Sequence, residues 1–209
     1  GIFGLFAKLT ASISLVEISQ LFMFILSSYF AIFVMFLVHG VMVGLAGVNP
    51  FSYYKKVSEV LIFSFFSRSS SAALPLNIET QVQKLGLSNQ NATISSSLGV
   101  TIGQNGCAGI YPAMLVTMIA PSFGIDIFNL TFVLTLVLII TINSFGIAGV
   151  GGGALFAGIV ALNAFNMPLA IIAVLAGIEP IIDMARTALN VNGSIVSSII
   201  ASKFEKKDI

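Results

Sequence analysis

Four long apolar stretches constrain this chain more than any other feature of its sequence. Each reaches or exceeds the roughly 20 residues that a helix needs to cross a bilayer. Charged residues make up only 8% of the chain and hydrophobic residues 57%, whereas a soluble domain has about 25% charged residues. An all-α integral membrane protein is therefore expected. The four stretches are Leu21 to Val48, Ser95 to Pro121, Leu130 to Leu162 and Pro168 to Ala201.

The composition also argues against several other classes of protein. No stretch combines clustered Lys and Arg with aromatic residues, so a nucleic-acid partner is not expected. The chain has one cysteine, Cys107, and one histidine, His39, and these cannot form a zinc or haem site by themselves. We therefore expect no cofactor and no bound metal beyond a coupling ion, and we interpret His39 as a hydrogen-bonded packing residue.

Runs of small residues interrupt two of the apolar segments. Ser69 to Ser71 follow an arginine in the middle of one segment, and Gly149 to Gly153 divide another. Irregular backbone at membrane depth is tolerated only where protein or a water-filled cavity satisfies its polar groups. The pattern predicts two re-entrant helical hairpins in two weakly similar units, 57–121 and 130–203, which is typical of transporters. The alternative is close packing of helices through small residues.

These boundaries predict two regions. Residues 1–50 contain the end of one membrane helix and a complete second one, and residues 51–209 form a transport core. The core comprises hairpin 1 (about 51–85), a helix (about 90–122), hairpin 2 (about 130–165) and a last helix (about 168–203). Because the chain starts inside an apolar stretch, we expect it to belong to a larger protein. The lysines cluster on one side of this topology, which predicts a multi-pass protein of the cell inner (plasma) membrane with a cytoplasmic C-terminus.

The last predicted helix carries a polar stripe. Glu179, Asp183, Arg186 and Asn190 follow one another at spacings of four, three and four residues, which places them on one helix face. Ionisable groups within a membrane usually pair or line a substrate route. Two carboxylates against one guanidinium predict a negative excess that attracts an amine or a cation. The alternative is a packing face in which Arg186 neutralises Asp183.

Four motifs follow one another along the chain: Arg68 to Pro75, Leu98 to Gly106, Ala148 to Gly153 and Asp183 to Val191. They make the chain resemble the dicarboxylate/amino acid:cation symporters, which have the glutamate-transporter-like fold. Within that family, the Gly-Gln-Asn-Gly-Cys-Ala sequence at 103–108 is most similar to the bacterial L-cystine uptake branch. The resemblance implies a transport domain with two re-entrant hairpins and broken helices, and a homotrimer in the lipid bilayer.

The resemblance also implies a site in which the hairpin tips enclose the solute, Asp183 holds its amine and Arg186 holds its distal carboxylate. Two sodium-binding carboxylates of the family are replaced here by Asn105 and Ser194, so sodium, protons or both are plausible coupling ions. Glu179 and Asp183 are the candidate proton carriers. The implied substrate-binding residues are Ser69, Ser70, Cys107, Val150, Gly152, Asp183, Arg186, Thr187 and Asn190. The implied cation ligands are Gly99, Thr101, Gly103, Asn105, Ser144, Ile147, Asn190 and Ser194.

The predicted function is therefore import of an amino acid, L-cystine, by a secondary active symporter that works by alternating access. A symporter of glutamate, aspartate or another dicarboxylate is the alternative substrate class, and an ion or solute channel is the alternative protein class. An enzyme is not expected. An aspartyl intramembrane protease needs aspartates on two helices, and a serine protease needs a histidine base near its nucleophile.

Overall fold

The computed structural model describes residues 15–147, 149 and 152–205, and all regular elements in these ranges are helical. The predicted end of a membrane helix lies largely in residues 1–14, outside the described part of the chain. Helix α1 is continuous over Leu15–Leu45, so it includes residues before the apolar stretch that begins at Leu21, and no boundary separates residues 16 and 21. The residues between those positions include neither glycine nor proline, and nothing there interrupts the helical hydrogen bonds.

The first hairpin consists of α2, Pro50–Ser67, and α3, Ser70–Gln83, which pack against each other. Asn49 caps α2, because its Oδ1 accepts hydrogen bonds from the amides of the first turn, and Pro50 suits the first helical position. Arg68 ends α2 in the left-handed region at φ 52°, and Ser69 caps α3. The chain thus reverses its direction within two residues.

A broken helix follows the first hairpin. Helix α4, Asn89–Thr101, ends before a non-helical stretch over 102–104, in which Gly103 has φ +73°. A π-helical segment, Asn105–Ile110, then leads into α5, Tyr111–Ile119, and a 3-10 turn, Ala120–Phe123. Such wide helical turns are frequent at functional sites.

The second unit repeats this order. Helix α6, Leu130–Asn143, is followed by a 3-10 turn, Ser144–Gly146, and packs against α7, Gly153–Ala164. The predicted single last helix over 168–203 is wrong, since α8, Ala170–Leu175, and α9, Glu179–Glu205, are separate. Pro180 has no N–H for the carbonyl of residue 176, so the helix restarts with this proline in its first turn.

Helix α9 is central to the fold. It packs against α1, α2, α3, α4 and the π-helical segment, so its polar stripe is enclosed by other elements. Within the described ranges, two helical stretches are long and apolar enough to cross a membrane: Ile18–Leu45, of 28 residues, and Asn89–Phe123, of 35.

Candidate solute-binding site between the two helical bends

The two bends meet at Gly149. Its carbonyl accepts hydrogen bonds from the amide and the hydroxyl of Ser71, at 3.2 and 3.1 Å, and its own amide donates to Val100 O at 2.7 Å. A Cβ at Gly149 would lie 2.5 Å from Gln104 Nε2 and 3.0 Å from Ser70 Cβ. The serine bend, the glycine bend and the broken helix therefore come together at a point that has room only for glycine.

A buried ion cluster lies beside the serine bend. Arg186 Nη2 is 2.5 Å from Glu179 Oε1 and 3.5 Å from Asp183 Oδ1, and the Arg186 side chain is 1% exposed. Arg68 Nε, at the end of α2, is 3.5 Å from Asp183 Oδ2. The intrahelical pair between Asp183 and Arg186 is present, as the packing alternative expected. However, Asp183 also pairs with Arg68, which lies at the bend. The polar stripe therefore contributes to a site that several helices form together.

The expectation of a net negative charge in this cluster is wrong. Arg68 adds a second guanidinium, so that two cationic and two anionic side chains balance in this cluster. The sequence holds a signal for this residue, since an arginine in the middle of an apolar hairpin is costly unless it has a partner. Its partner is a tertiary neighbour that the spacing within one helix cannot reveal.

The π-helical segment closes the site on the other side. Asn190 Nδ2 donates to Gln104 Oε1 at 3.2 Å and to Cys107 Sγ at 3.1 Å, and Asn190 Oδ1 accepts from the Gly106 amide at 2.8 Å. Cys107 Sγ lies 3.9 Å from Asp183 Oδ1. A Cβ at Gly106 would be 2.9 Å from the Arg186 carbonyl oxygen, so this segment packs directly on α9.

The other predicted substrate-binding residues lie at the bends or on α9. Ser69 Oγ accepts from the Ala72 amide at 3.1 Å and thereby caps α3. Ser70 and Thr187 are buried, at 4% and 3% exposure. Gly152 precedes α7 with φ +89°, a conformation that favours glycine. Val150 lies outside the described residues.

Two of the predicted cation ligands, Gly103 and Ser144, lie where the broken helix contacts the end of α6. The Gly103 amide donates to Ser144 O at 3.4 Å, and Ile147, shortly after this contact, is buried. Thr101, near the same point, uses its hydroxyl on carbonyls of its own helix. A backbone hydrogen bond therefore joins the broken helix to the end of α6 at this point.

The remaining predicted cation ligands are engaged elsewhere. Ser194 Oγ accepts from Asn77 Nδ2 at 2.9 Å and donates to Val191 O, and Gly99 packs closely against Ser194. Because the amide nitrogen of Asn77 is a donor, it makes Ser194 a poor partner for a cation. Asn105 Nδ2 is 2.9 Å from His39 Nε2.

The interpretation of His39 as a hydrogen-bonded packing residue is confirmed. The side chain is 3% exposed, and its two ring nitrogens lie 2.9 and 2.8 Å from the amide nitrogens of Asn105 and Asn192. Asn192 Oδ1 in turn accepts from the Tyr53 hydroxyl at 2.7 Å. This chain of contacts ties α1, the π-helical segment, α9 and α2 together.

The family of the protein follows from comparison with known sequences. Residues 1–204 match the sodium:dicarboxylate symporter family, and the chain belongs to that family. The expected helical transporter fold agrees with this membership.

Individual relatives are similar over almost the whole chain. It is 52% identical over 204 residues to an L-cystine uptake protein TcyP from Bacillus cereus, an alignment that covers 98% of this chain and 44% of the relative. It is 53% identical over 207 residues to an uncharacterized symporter from Haemophilus influenzae, covering 99% and 47%. A TcyP protein from Bacillus licheniformis is 48% identical over 203 residues, covering 97% and 44%. The chain thus spans about half the length of these curated relatives.

Proposed function

We propose that the full-length protein is a secondary active symporter that imports L-cystine across the inner membrane. The observation that carries this proposal is the charge-balanced cluster beside the two bends, in which Glu179, Asp183 and Arg186 are buried and Arg68 is partly exposed. Charged groups are retained in a membrane where they pair or serve a transported solute. The names of the Bacillus relatives support cystine as that solute.

The charge balance favours cystine over the alternative acidic substrates. L-Cystine has two ammonium and two carboxylate groups and is neutral overall near pH 7. In this proposal Asp183 holds one ammonium, and Arg186 holds one carboxylate through its unpaired N–H donors. Glutamate or aspartate would bring a net negative charge into a buried site that is already balanced, and would need an accompanying cation.

The backbone supports binding of a carboxylate at the bends. Helices α3 and α7 both begin there, and a helix N-terminus carries partial positive charge, which favours an anion. Discontinuous helices of this kind hold anionic substrate groups in secondary transporters, while unwound carbonyls hold the coupling cation. We assign a cation to the carbonyls near Gly103 and Ser144, or a proton to Glu179 or Asp183.

The mechanism that fits this arrangement is alternating access. The hairpins close over the solute through the Ser71 to Gly149 contact, and the domain then moves against other parts of the full-length protein. In this proposal the protein works as a homotrimer in the bilayer with its C-terminus in the cytoplasm. A channel would require a continuous path, whereas the bends are in direct contact.

Uptake by full-length protein in proteoliposomes tests the proposal. We expect uptake of radiolabelled L-cystine that saturates, needs a sodium or a proton gradient, and is inhibited weakly by glutamate and aspartate. Arg186→Ala should abolish it, while Lys84→Ala, at an exposed ion pair with Glu59, should not. Absence of cystine uptake together with gradient-driven glutamate uptake would refute cystine as the substrate, and unsaturable current would indicate a channel.

A further inference from the structure

The Arg186 guanidinium is buried but only partly satisfied. Its Nη2 contacts both Glu179 and Asp183, whereas Nε and Nη1 have no hydrogen-bond partner among the described residues. Buried donors in proteins are nearly always paired, and each unpaired one requires an explanation. An N–H donor that is left free on a buried guanidinium can be satisfied by a carboxylate oxygen of a bound solute.

Tyr111 holds this guanidinium without using any of its donors. The Arg186 Cζ atom lies 4.6 Å from the centroid of the Tyr111 ring. A cation over an aromatic face is attracted by the π-electrons, and this attraction is strongest where water is excluded. Neither the Tyr111 hydroxyl nor Arg186 Nε or Nη1 has a hydrogen-bond partner among the described residues, so this contact leaves those N–H groups available.

The Tyr111 ring is itself fixed in place. Phe24 of α1 meets it edge to face, with centroids 6.3 Å apart and planes at 83°. On α7, a Cβ at Gly158 would lie only 2.9 Å from Tyr111 Cε1, so glycine leaves the space that the ring occupies. The Tyr111 amide donates to Gly106 O in the π-helical segment. The ring therefore has little freedom to move away from Arg186.

The hydroxyl of Tyr111 is also available. The residue is 1% exposed, and its oxygen has no hydrogen-bond partner among the described residues. We propose that Tyr111 is a specificity-determining residue, which holds the Arg186 guanidinium so that an unpaired N–H donor meets the far carboxylate of the solute, and which adds a hydroxyl donor beside it. This inference rests on the proposed function, since it assumes a solute with a second carboxylate.

The test compares ligands with and without that carboxylate. Binding of L-cystine and of S-methyl-L-cysteine, which lacks the second amino-acid half, is measured on full-length wild type, Tyr111→Phe, Tyr111→Leu and Arg186→Ala. We expect the cystine Kd to rise about 5-fold in Tyr111→Phe, which loses one hydrogen bond, and about 30-fold in Tyr111→Leu, which also loses the ring. The Kd of S-methyl-L-cysteine should stay within about 2-fold of wild type in both, well below the change of one hydrogen bond.

Several outcomes would overturn the inference. Equal losses for both ligands in Tyr111→Leu would mean that the ring only supports the fold, and the melting temperature of the ligand-free protein checks this. If Tyr111→Leu does not fold, Tyr111→Met makes the same comparison. Cystine binding that is lost in Arg186→Ala but unchanged in Tyr111→Leu would refute the role of Tyr111 alone. Wild type that binds no cystine would refute both this role and the proposed function.

Discussion

Arg68 Nε lies 3.5 Å from Asp183 Oδ2, so an ion pair joins the first helical bend to the N-terminal part of α9. Asp183 thereby has an arginine on each side, one from the bend and one from its own helix. The pair therefore connects the first hairpin to the charged side chains of the site. An ammonium group of the solute that approaches Asp183 has to share this carboxylate with Arg68.

Replacement of Arg68 should test this link. In Arg68→Ala, Asp183 keeps only Arg186, and we expect cystine affinity to fall about 10-fold because the charges no longer balance. Arg68→Lys should retain more affinity, since it keeps the charge. Lys84→Ala is the matched control, because that exposed pair with Glu59 contributes less than about 1 kcal/mol to stability. Unchanged affinity in Arg68→Ala would show that the pair is dispensable.

Glu179 is the group we expect to carry the coupling proton if transport is driven by protons. Glu179→Gln imitates the protonated side chain, so exchange of internal for external cystine should persist while stimulation by an inward proton gradient is lost. Both are measured in proteoliposomes with full-length protein. Glu59→Gln, at the exposed pair, serves as the control. If a proton gradient still stimulates cystine uptake in Glu179→Gln, a group other than Glu179 carries the proton.

Cys107 should line the site without reacting with a disulfide substrate. Cys107 is 5% exposed, its Sγ contacts Asn190 and Asp183, and a buried thiol of this kind is inert more often than reactive. Cys107→Ser should therefore keep cystine uptake within about 5-fold of wild type, the change expected from one altered hydrogen bond. Intact mass measured after incubation of wild type with cystine should not change. A mass increase of one half-cystine would contradict this expectation.

The polar stripe of α9 could be predicted from the sequence because helical periodicity alone places Glu179, Asp183 and Arg186 on one face. The helical membrane fold was predictable for a similar reason, since apolar length determines it. The pairing of Arg68 and the stack of Tyr111 could not be predicted, because both depend on how separate elements pack. The residues around the break before α9 are apolar, so the hydrophobic pattern does not show that the helix is interrupted there. Pro180 is the only strong signal of the break in the sequence.

Contact between the two bends depends on the missing side chain of Gly149. In Gly149→Ala, the new Cβ would lie 2.5 Å from Gln104 Nε2 and 2.9 Å from the Val100 carbonyl oxygen, and the latter is backbone that cannot move aside easily. We expect the glycine bend to separate from Ser71, with a loss of cystine affinity of about 10-fold or more, because overpacking of this kind costs roughly 1–3 kcal/mol.

Gly109→Ala is the matched control for this substitution. Gly109 also lies within the transport core, yet a Cβ there would meet nothing within 4 Å, so affinity should remain near that of wild type. Binding is measured by isothermal titration on full-length protein, and melting temperatures establish that both variants are folded. If the two alanine variants bind cystine equally well, closure of the bends does not depend on the space at Gly149, and the solute must be enclosed by other contacts.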